Sequence, residues 1–363
     1  MSGFDCNTIL IVANSGRMLA QLANNIALDS IVIDCFCDAD TLLLTTDAIK
    51  IESLALKHLK PAILNLNKIH SIKYAIYGSG FEPYSKSLQY LQDHFQVLGN
   101  SQSVFLATQN KINFFATLKT LQIPYPPVSF DAPKTTEEWL LKPMQGQGGV
   151  AIRKYQQTCV SANPCYWQRY IEGTAMSCLF VTEGSQVIIY GFHKQQHICI
   201  DEDEFIFSSI ISQADMADEI VQTVSLWIKK IVAAFALKGM NSLDFMLKED
   251  KLYVLEVNPR PTASMQFYAN NILNEHIQCF LGGALSKTSK INSYQAYKIV
   301  FAEAEYIIKE HISWPEWAAD IPRPGAKIHT AMPICSIIAG DKNERNVEDS
   351  LLSRQQIIYR LLK

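Results

Sequence analysis

The sequence is poor in the features that mark several large classes of protein. Charged residues fill only 18% of its 363 positions, and 32 Lys and Arg nearly cancel 35 Asp and Glu, leaving −3. With so even a balance and no basic tract, nothing argues for a nucleic-acid partner or a membrane surface. Any anionic substrate must be held by a few placed cations. Long apolar runs are missing too: the longest, Ile231 to Leu237, falls far short of the ~18 residues that a membrane-crossing helix needs. The start, Met1 to Cys6, has no basic segment followed by an apolar stretch, so no signal peptide is expected. The nine cysteines are odd in number and form neither a CxxC pair nor a Cys/His zinc spacing. They read as reduced, mostly buried thiols of a cytoplasmic protein, with Cys35 and Cys37 on one face of a strand.

Two nucleotide signatures are also lacking. A dinucleotide fingerprint needs three spaced glycines after the first strand, and only Gly16 is there, although Asp34 ends the second strand where a ribose ligand would stand. The Walker A pattern GxxxxGK[ST] is absent.

What is present is enough apolar residue, 48%, for a folded chain, and a length that suits two or three domains. Thr8 to Ala13, Arg17 to Leu28 and Ile31 to Phe36 read as a βαβ unit. Tyr74 to Tyr77 is a further strand leading into Gly78 to Glu82, a turn that either holds an anion on its amides or connects strand to helix. Thr108 to Gln122 follows as a helix with Ile112, Phe115, Leu118 and Leu121 on its stripe, stopped by Pro124, Pro126 and Pro127. Asp215 to Lys238 is the clearest helix, capped by Asp215 and ended by Gly239.

Three stretches carry chemistry. In Met240 to Arg260, two strands flank the turn Lys248 to Lys251. Alternation puts Ser242, Asp244 and Met246 on one face of the first strand. In the second, Glu256 and Asn258 project opposite Tyr253, Leu255 and Val257, about 6.7 Å apart along the strand. Two carboxylates and an amide oxygen make an all-oxygen set suited to magnesium, which takes its other ligands from water and phosphate. Single acids in strands usually face solvent, but two acids, an Asn and an Arg among apolar residues need a bound cation to offset their burial. The second stretch, Trp139 to Ile152, reads as strand, glycine-rich turn and strand, with Lys142 near the end of the first strand and Gly146, Gly148 and Gly149 able to lay amides over phosphate. The third, Tyr166 to Ser177, is a strand running to Gly173 whose edge amides could pair with a purine.

Together, in this order, the three stretches resemble the ATP-grasp superfamily of carboxylate–amine and carboxylate–thiol ligases. The resemblance implies an α/β and α+β fold. Its parts would be an N-terminal Rossmann-like domain (1–100), a two-part ATP-binding module (101–285) and a small C-terminal β-rich lobe (286–363). Lys111 and Lys142 match the family's phosphate lysines, and Gly146 to Gly149 its phosphate loop. Gln168 stands where an acid often faces the adenine amino group, and backbone groups of Arg169 and Ile171 would contact adenine. Ala175 stands where many members carry a ribose-binding glutamate. His193 and Lys194 are candidates for a further phosphate cation. Asp244, Glu256 and Asn258 match the ligands of magnesium, or manganese in its place, and Arg260 the cation beside the reacting phosphoryl group.

Within the superfamily, SGRMLAQLA, YGSGFE, LEVNPRPTASM and DIPRPGAKIHTAMPICSIIAG look like the stand-alone proteins associated with tetrahydromethanopterin or methanofuran biosynthesis. The implied activity is amide formation from small-molecule carboxylate and amine through an acyl phosphate, with ATP and magnesium. An ATP-dependent carboxylase and a non-catalytic nucleotide-binding scaffold are the alternatives. A homodimer is expected only because dimers are the commonest soluble assembly.

Overall fold

A computed structural model describes residues 7–134, 138–156, 164–213, 216–268, 271–285 and 293–363. The opening βαβ unit is present as β1 (Thr8–Val12), α1 (Arg17–Asn25) and β2 (Asp29–Asp34). Then follow α2 (Ala39–Leu44), β3 (Asp47–Lys50), α3 (Leu56–Leu66), β4 (Tyr74–Tyr77), α4 (Ser85–His94) and β5 (Gln96–Val97). The strands form one parallel sheet in the order β3-β2-β1-β4-β5. They are apolar in unbroken runs because the sheet is covered on both faces. Ile9 and Ile11 enter one core with Leu19 of α1, while Leu10 and Val12 enter another with Leu59 of α3 and Leu88 of α4.

Several local expectations shift here. The helix drawn to Leu28 stops at Asn25, and Ala27 is left-handed at φ 53°. Because β2 ends at Asp34, Cys35 and Cys37 lie in the turn beyond it and do not share a strand face; Cys37 takes φ 52°. The Asp34 carboxylate ties that turn down, accepting from the N–H groups of Gly16, Phe36 and Cys37 at 2.8, 3.2 and 2.6 Å. The described cysteines are all free thiols.

The middle of the chain begins with two helices where one was expected. α5 (Gln102–Gln109) and α6 (Lys111–Thr120) are separated by Asn110, whose side chain caps α6 by accepting from the Asn113 N–H at 3.1 Å. The break rotates the apolar face: Phe114, Phe115 and Leu118 are buried, and Ile112 is 56% exposed. β6 (Val128–Ser129), β7 (Trp139–Pro143), β8 (Arg153–Lys154) and β9 (Cys165–Arg169) form an antiparallel sheet in the order β6-β9-β7-β8.

β10 (Thr174–Glu183), β11 (Gln186–Ile200) and β12 (Asp203–Gln213) then lead to α7 (Asp218–Phe235). Asp215, the expected cap of α7, lies outside the described residues. The helix ends on a left-handed Ala236, while Gly239 opens the next strand at φ 71°. Val224, Trp227, Ile231 and Phe235 of α7 pack into the core beneath the second sheet, as their spacing required. β13 (Gly239–Lys248) and β14 (Lys251–Asn258) form the expected hairpin, followed by a short 3-10 turn, Ala263–Phe267, and α8 (Ile272–Leu281).

The last segment holds β15 (Tyr294–Phe301), β16 (Tyr306–Ile307), β17 (Ala318–Ala319), β18 (Lys327–Ile328), β19 (Pro333–Asp341) and the 19-residue helix α9 (Glu344–Leu362). β15, β19 and β17 continue the central sheet, whose order is β14-β13-β10-β11-β12-β15-β19-β17. Among the described residues no helix is long and apolar enough to cross a membrane.

Candidate active site

The site is built on the β13–β14 hairpin. Asp244 lies directly opposite Glu256, and Ser242 opposite Asn258. The register then jumps, pairing Phe245 with Val254 and leaving Leu255 as a bulge. That bulge corrects the face drawn for β14: Leu252, Val254 and Val257 are the buried residues, not Tyr253 and Leu255. Without it, period-two alternation would put Val254 and Glu256 on the same face. With it, Val254 stays in the core and Glu256 joins Asn258 and Asp244 on the wall of a cavity of about 970 Å³.

Hydrogen bonds hold these side chains in place. Asn258 Nδ2 donates to Asp244 Oδ2 at 3.1 Å and to Ser242 Oγ at 3.2 Å. Lys111 Nζ donates to Glu256 Oε2 at 3.1 Å. Asp244 Oδ1 is buried and accepts no hydrogen bond among the described residues. Burial, then repulsion from Glu256, raises the Asp244 pKa above the carboxylate range; the amides of Asn258 and Gln195 and the Arg260 charge only partly oppose them. Burial also works to raise Glu256, but the ammonium groups of Lys111 and Lys142 outweigh it and hold that carboxyl below its ordinary value. An orphaned carboxylate oxygen, a second carboxylate and an amide oxygen suit a hard cation. Among the described residues no three His, Cys, Asp or Glu gather to hold a metal, so a cation here would rely on the Asn258 amide and on oxygens of its substrate.

The expected cations are placed differently from one another. Lys142 lines the cavity and donates to Gln168 Oε1 at 3.1 Å; burial pushes its pKa down to about 8, with Glu256 partly restoring it. Lys111 does not line the cavity but lies behind Glu256 as its counter-ion. Lys194 lines the cavity while pairing with Glu344 and Glu348 of α9 at 3.5 Å each. His193 points away, bonded to Tyr268 Oη at 2.8 Å and Ser177 Oγ at 3.3 Å. Burial pushes it down to about 3, so it is a neutral core residue and not a phosphate cation.

Arg260 is held by a residue to which the sequence assigned no role. Its Nε and Nη2 donate to Glu82 Oε1 at 3.0 and 2.7 Å, and Nη2 also reaches Asn258 Oδ1 at 3.3 Å. The turn Gly78 to Glu82 is therefore no open anion cradle, since its Gly80 N–H already donates to Glu82 Oε2 at 3.0 Å. The only sequence signal was an acid inside a glycine turn. Both partners are almost fully buried, so Glu82→Ala should lower unfolding free energy by about 3–5 kcal/mol, the usual cost of orphaning a buried charge. Urea titration of both proteins measures it.

On the opposite wall, Gln168, Arg169 and Ile171 line the cavity, as does Ala175. β9 stops at Arg169, short of the expected Gly173, and the Arg169 N–H donates to the Pro127 carbonyl at 2.8 Å. Gln168 spends its amide oxygen on Lys142, and its Nε2 is buried without a partner among the described residues.

Of the loop glycines, Gly148 and Gly149 line the cavity and Gly146 does not. Gly148 and Gly149 have φ of 62° and 79°. The loop is seated on β12: the Phe207 N–H donates to the Gly148 carbonyl at 2.9 Å, and Asp203 accepts from the Ala151 N–H at 3.0 Å. A Cβ on Gly149 would lie 1.7 Å from the Phe205 carbonyl oxygen. Gly149→Ala should therefore unseat the loop and weaken nucleotide binding about tenfold, from left-handed strain and the clash together. Titration with ADP and limited proteolysis of the loop read the two effects.

Comparison with known proteins agrees with this architecture. A family model described as an ATP-grasp domain matches residues 108–264. Over 262 residues the chain is 24% identical to an uncharacterized protein of Methanocaldococcus jannaschii, the match covering 67% of this chain and 63% of that protein. Among solved structures, the chain resembles the biotin carboxylase domain of Hydrogenobacter thermophilus 2-oxoglutarate carboxylase, determined with MgADP and bicarbonate. The TM-score is 0.74 at 15% identity, covering 95% of this chain and 89% of that one. It also resembles the N5-carboxyaminoimidazole synthetase of Staphylococcus aureus in complex with ADP, with TM-score 0.70, 15% identity and 96% of both chains covered. With the glycine loop, the paired sheets and the carboxylate hairpin in place, residues 108–264 match the ATP-grasp domain, and the chain as a whole has the fold of these neighbours.

Proposed function

We propose that this chain is an ATP- and magnesium-dependent ligase that joins a carboxylate to an amine through an acyl phosphate. One observation carries the reading: Asp244, Glu256 and Asn258 face a single cavity with Lys142, Arg260 and the glycine loop. Structural neighbours solved with ADP support the use of a nucleotide. Magnesium, held by Asp244, Glu256 and Asn258, would neutralise phosphate charge. Lys142 and the amides of Gly148 and Gly149 would hold the phosphate tail, Gln168 to Ile171 the adenine, and Lys194 a further phosphate. Arg260, aimed by Glu82, would steady the phosphoryl group as it passes to the carboxylate. Alignment and charge compensation are the protein's main work in such a transfer.

A role in assembling a one-carbon carrier cofactor, tetrahydromethanopterin or methanofuran, rests on the sequence resemblance alone. A second reading, carboxylation through carboxyphosphate, is favoured by the likeness to two carboxylating enzymes, one of them solved with bicarbonate. Phosphate release from ATP and magnesium, with pooled carboxylates and amines or with bicarbonate, separates the two. Release that requires both organic pools and yields an amide by mass spectrometry supports the first; bicarbonate dependence replaces it with the second. ATP binding with no phosphate release in either mixture would overturn both.

A further inference from the structure

The cavity extends beyond the hairpin to a second wall, made by the turns after β1 and β2 and by the segment around Asp320. The carboxylates of Asp38 and Asp320 line it, with Arg17 beside them and Asp40 behind. Arg17 is held at two of its three nitrogens: Nε donates to Asp320 Oδ1 at 3.0 Å and Nη2 to Gln266 Oε1 at 3.2 Å. Asp40 is spent on the N–H groups of Asp320 and Ile321, both at 2.9 Å. Asp320 also accepts from Tyr297 Oη at 3.3 Å and Ser15 Oγ at 3.4 Å.

Asp38 alone is uncommitted. It is 6% exposed, lines the cavity, and its carboxylate makes no hydrogen bond or ion pair among the described residues. It occupies the N-cap of α2, where an aspartate ordinarily accepts from the first-turn N–H groups, yet it makes no such bond. The side chain has given up its local partner, and a buried carboxylate without one is costly.

We infer that Asp38 is the seat of the amine substrate's ammonium group, a deeper reading of the ligase function proposed above and resting on it. A primary ammonium supplies the missing charge and donors. An anion would meet the carboxylates of Asp38 and Asp320, and a metal would lack ligands, because no three His, Cys, Asp or Glu gather to hold one among the described residues. The place fits the chemistry as well: Asp38 and Arg260 line the same cavity, so an amine at Asp38 and a phosphoryl group at Arg260 would share one space. In the absence of ligand, burial and then the charges of Asp320, Asp40 and Asp34 push Asp38 up to about 8 against the pull of Arg17, so the acid holds a proton that it gives up when an ammonium binds.

The test uses the full chain, wild type beside Asp38→Asn and Asp38→Ser. A panel of amino acids and small diamines, each paired with its hydroxyl counterpart, is titrated by ligand-observed NMR, and MgADP is titrated on the same samples. At least one amine should bind the wild type, its hydroxyl counterpart about tenfold or more weaker, with a similar loss in both variants and ADP affinity unchanged. The inference is overturned if no amine in the panel binds, if hydroxyl compounds bind equally well, or if both variants keep wild-type amine affinity. Failure of ADP to bind the wild type would instead count against the ligase reading, so the two failures are told apart.

Discussion

Asp244→Asn should abolish turnover while making the metal-free protein harder to unfold. The loss follows from removing one cation ligand at the phosphoryl groups, about 10²–10³ in rate. The gain follows from linkage. Asp244 has a folded-state pKa raised by burial and by Glu256, so its ionised form costs stability once pH climbs above the unfolded value and through the folded one. Asparagine keeps the shape and removes that cost, so the metal-free variant should be harder to unfold at neutral pH. Glu256→Gln should lose turnover equally but move stability the other way, because Lys111, 4% exposed, would be left without its counter-ion. Urea unfolding with and without magnesium reads both signs, and only the wild type should be strongly stabilised by the metal. If the two variants shift stability in the same direction, or either turns over normally, the division of labour between these carboxylates is wrong.

Lys142→Ala should lower turnover about 10²–10³-fold, the cost of losing one preorganised donor at developing charge. Lys142 also makes a pH prediction. Its ammonium is present below about 8 and lost above, and phosphate binding needs it charged. ADP affinity should then fall by up to about tenfold per unit above pH 8, with proton uptake on binding. Calorimetry in two buffers of different ionisation enthalpy measures the uptake. Lys142→Arg, whose guanidinium stays charged, should flatten the profile. A wild-type profile unchanged to pH 9.5 would rule out Lys142 as the phosphate contact.

How much of this was legible depended on whether partners were close in sequence. The β13–β14 hairpin was, because two short runs carried alternating polar and apolar residues around a polar turn, and Asp244 does face Glu256. The opening βαβ unit was, from its apolar runs. The Leu255 bulge was not, since one extra residue changes the face without changing the composition. Nor was the break at Asn110, where a side-chain cap outweighed a continuous apolar stripe. Glu82 lies 178 positions from Arg260, and Arg17 lies 303 from Asp320. No local period links such residues, and only the packing of the first sheet against the rest brings them together. His193 shows the converse, an attractive residue type that burial turned into core.

The unbroken hydrogen bonding from β14 across to β17 has a mechanical consequence. Strands that anchor the carboxylate pair and the strand that leads to Asp320 are planks of one floor, while Arg17 and Asp38 follow strands of the separate parallel sheet. The four-stranded sheet, which bears Lys142 and leads into the glycine loop, stands outside that floor and is fastened to it by the loop's bonds to β12.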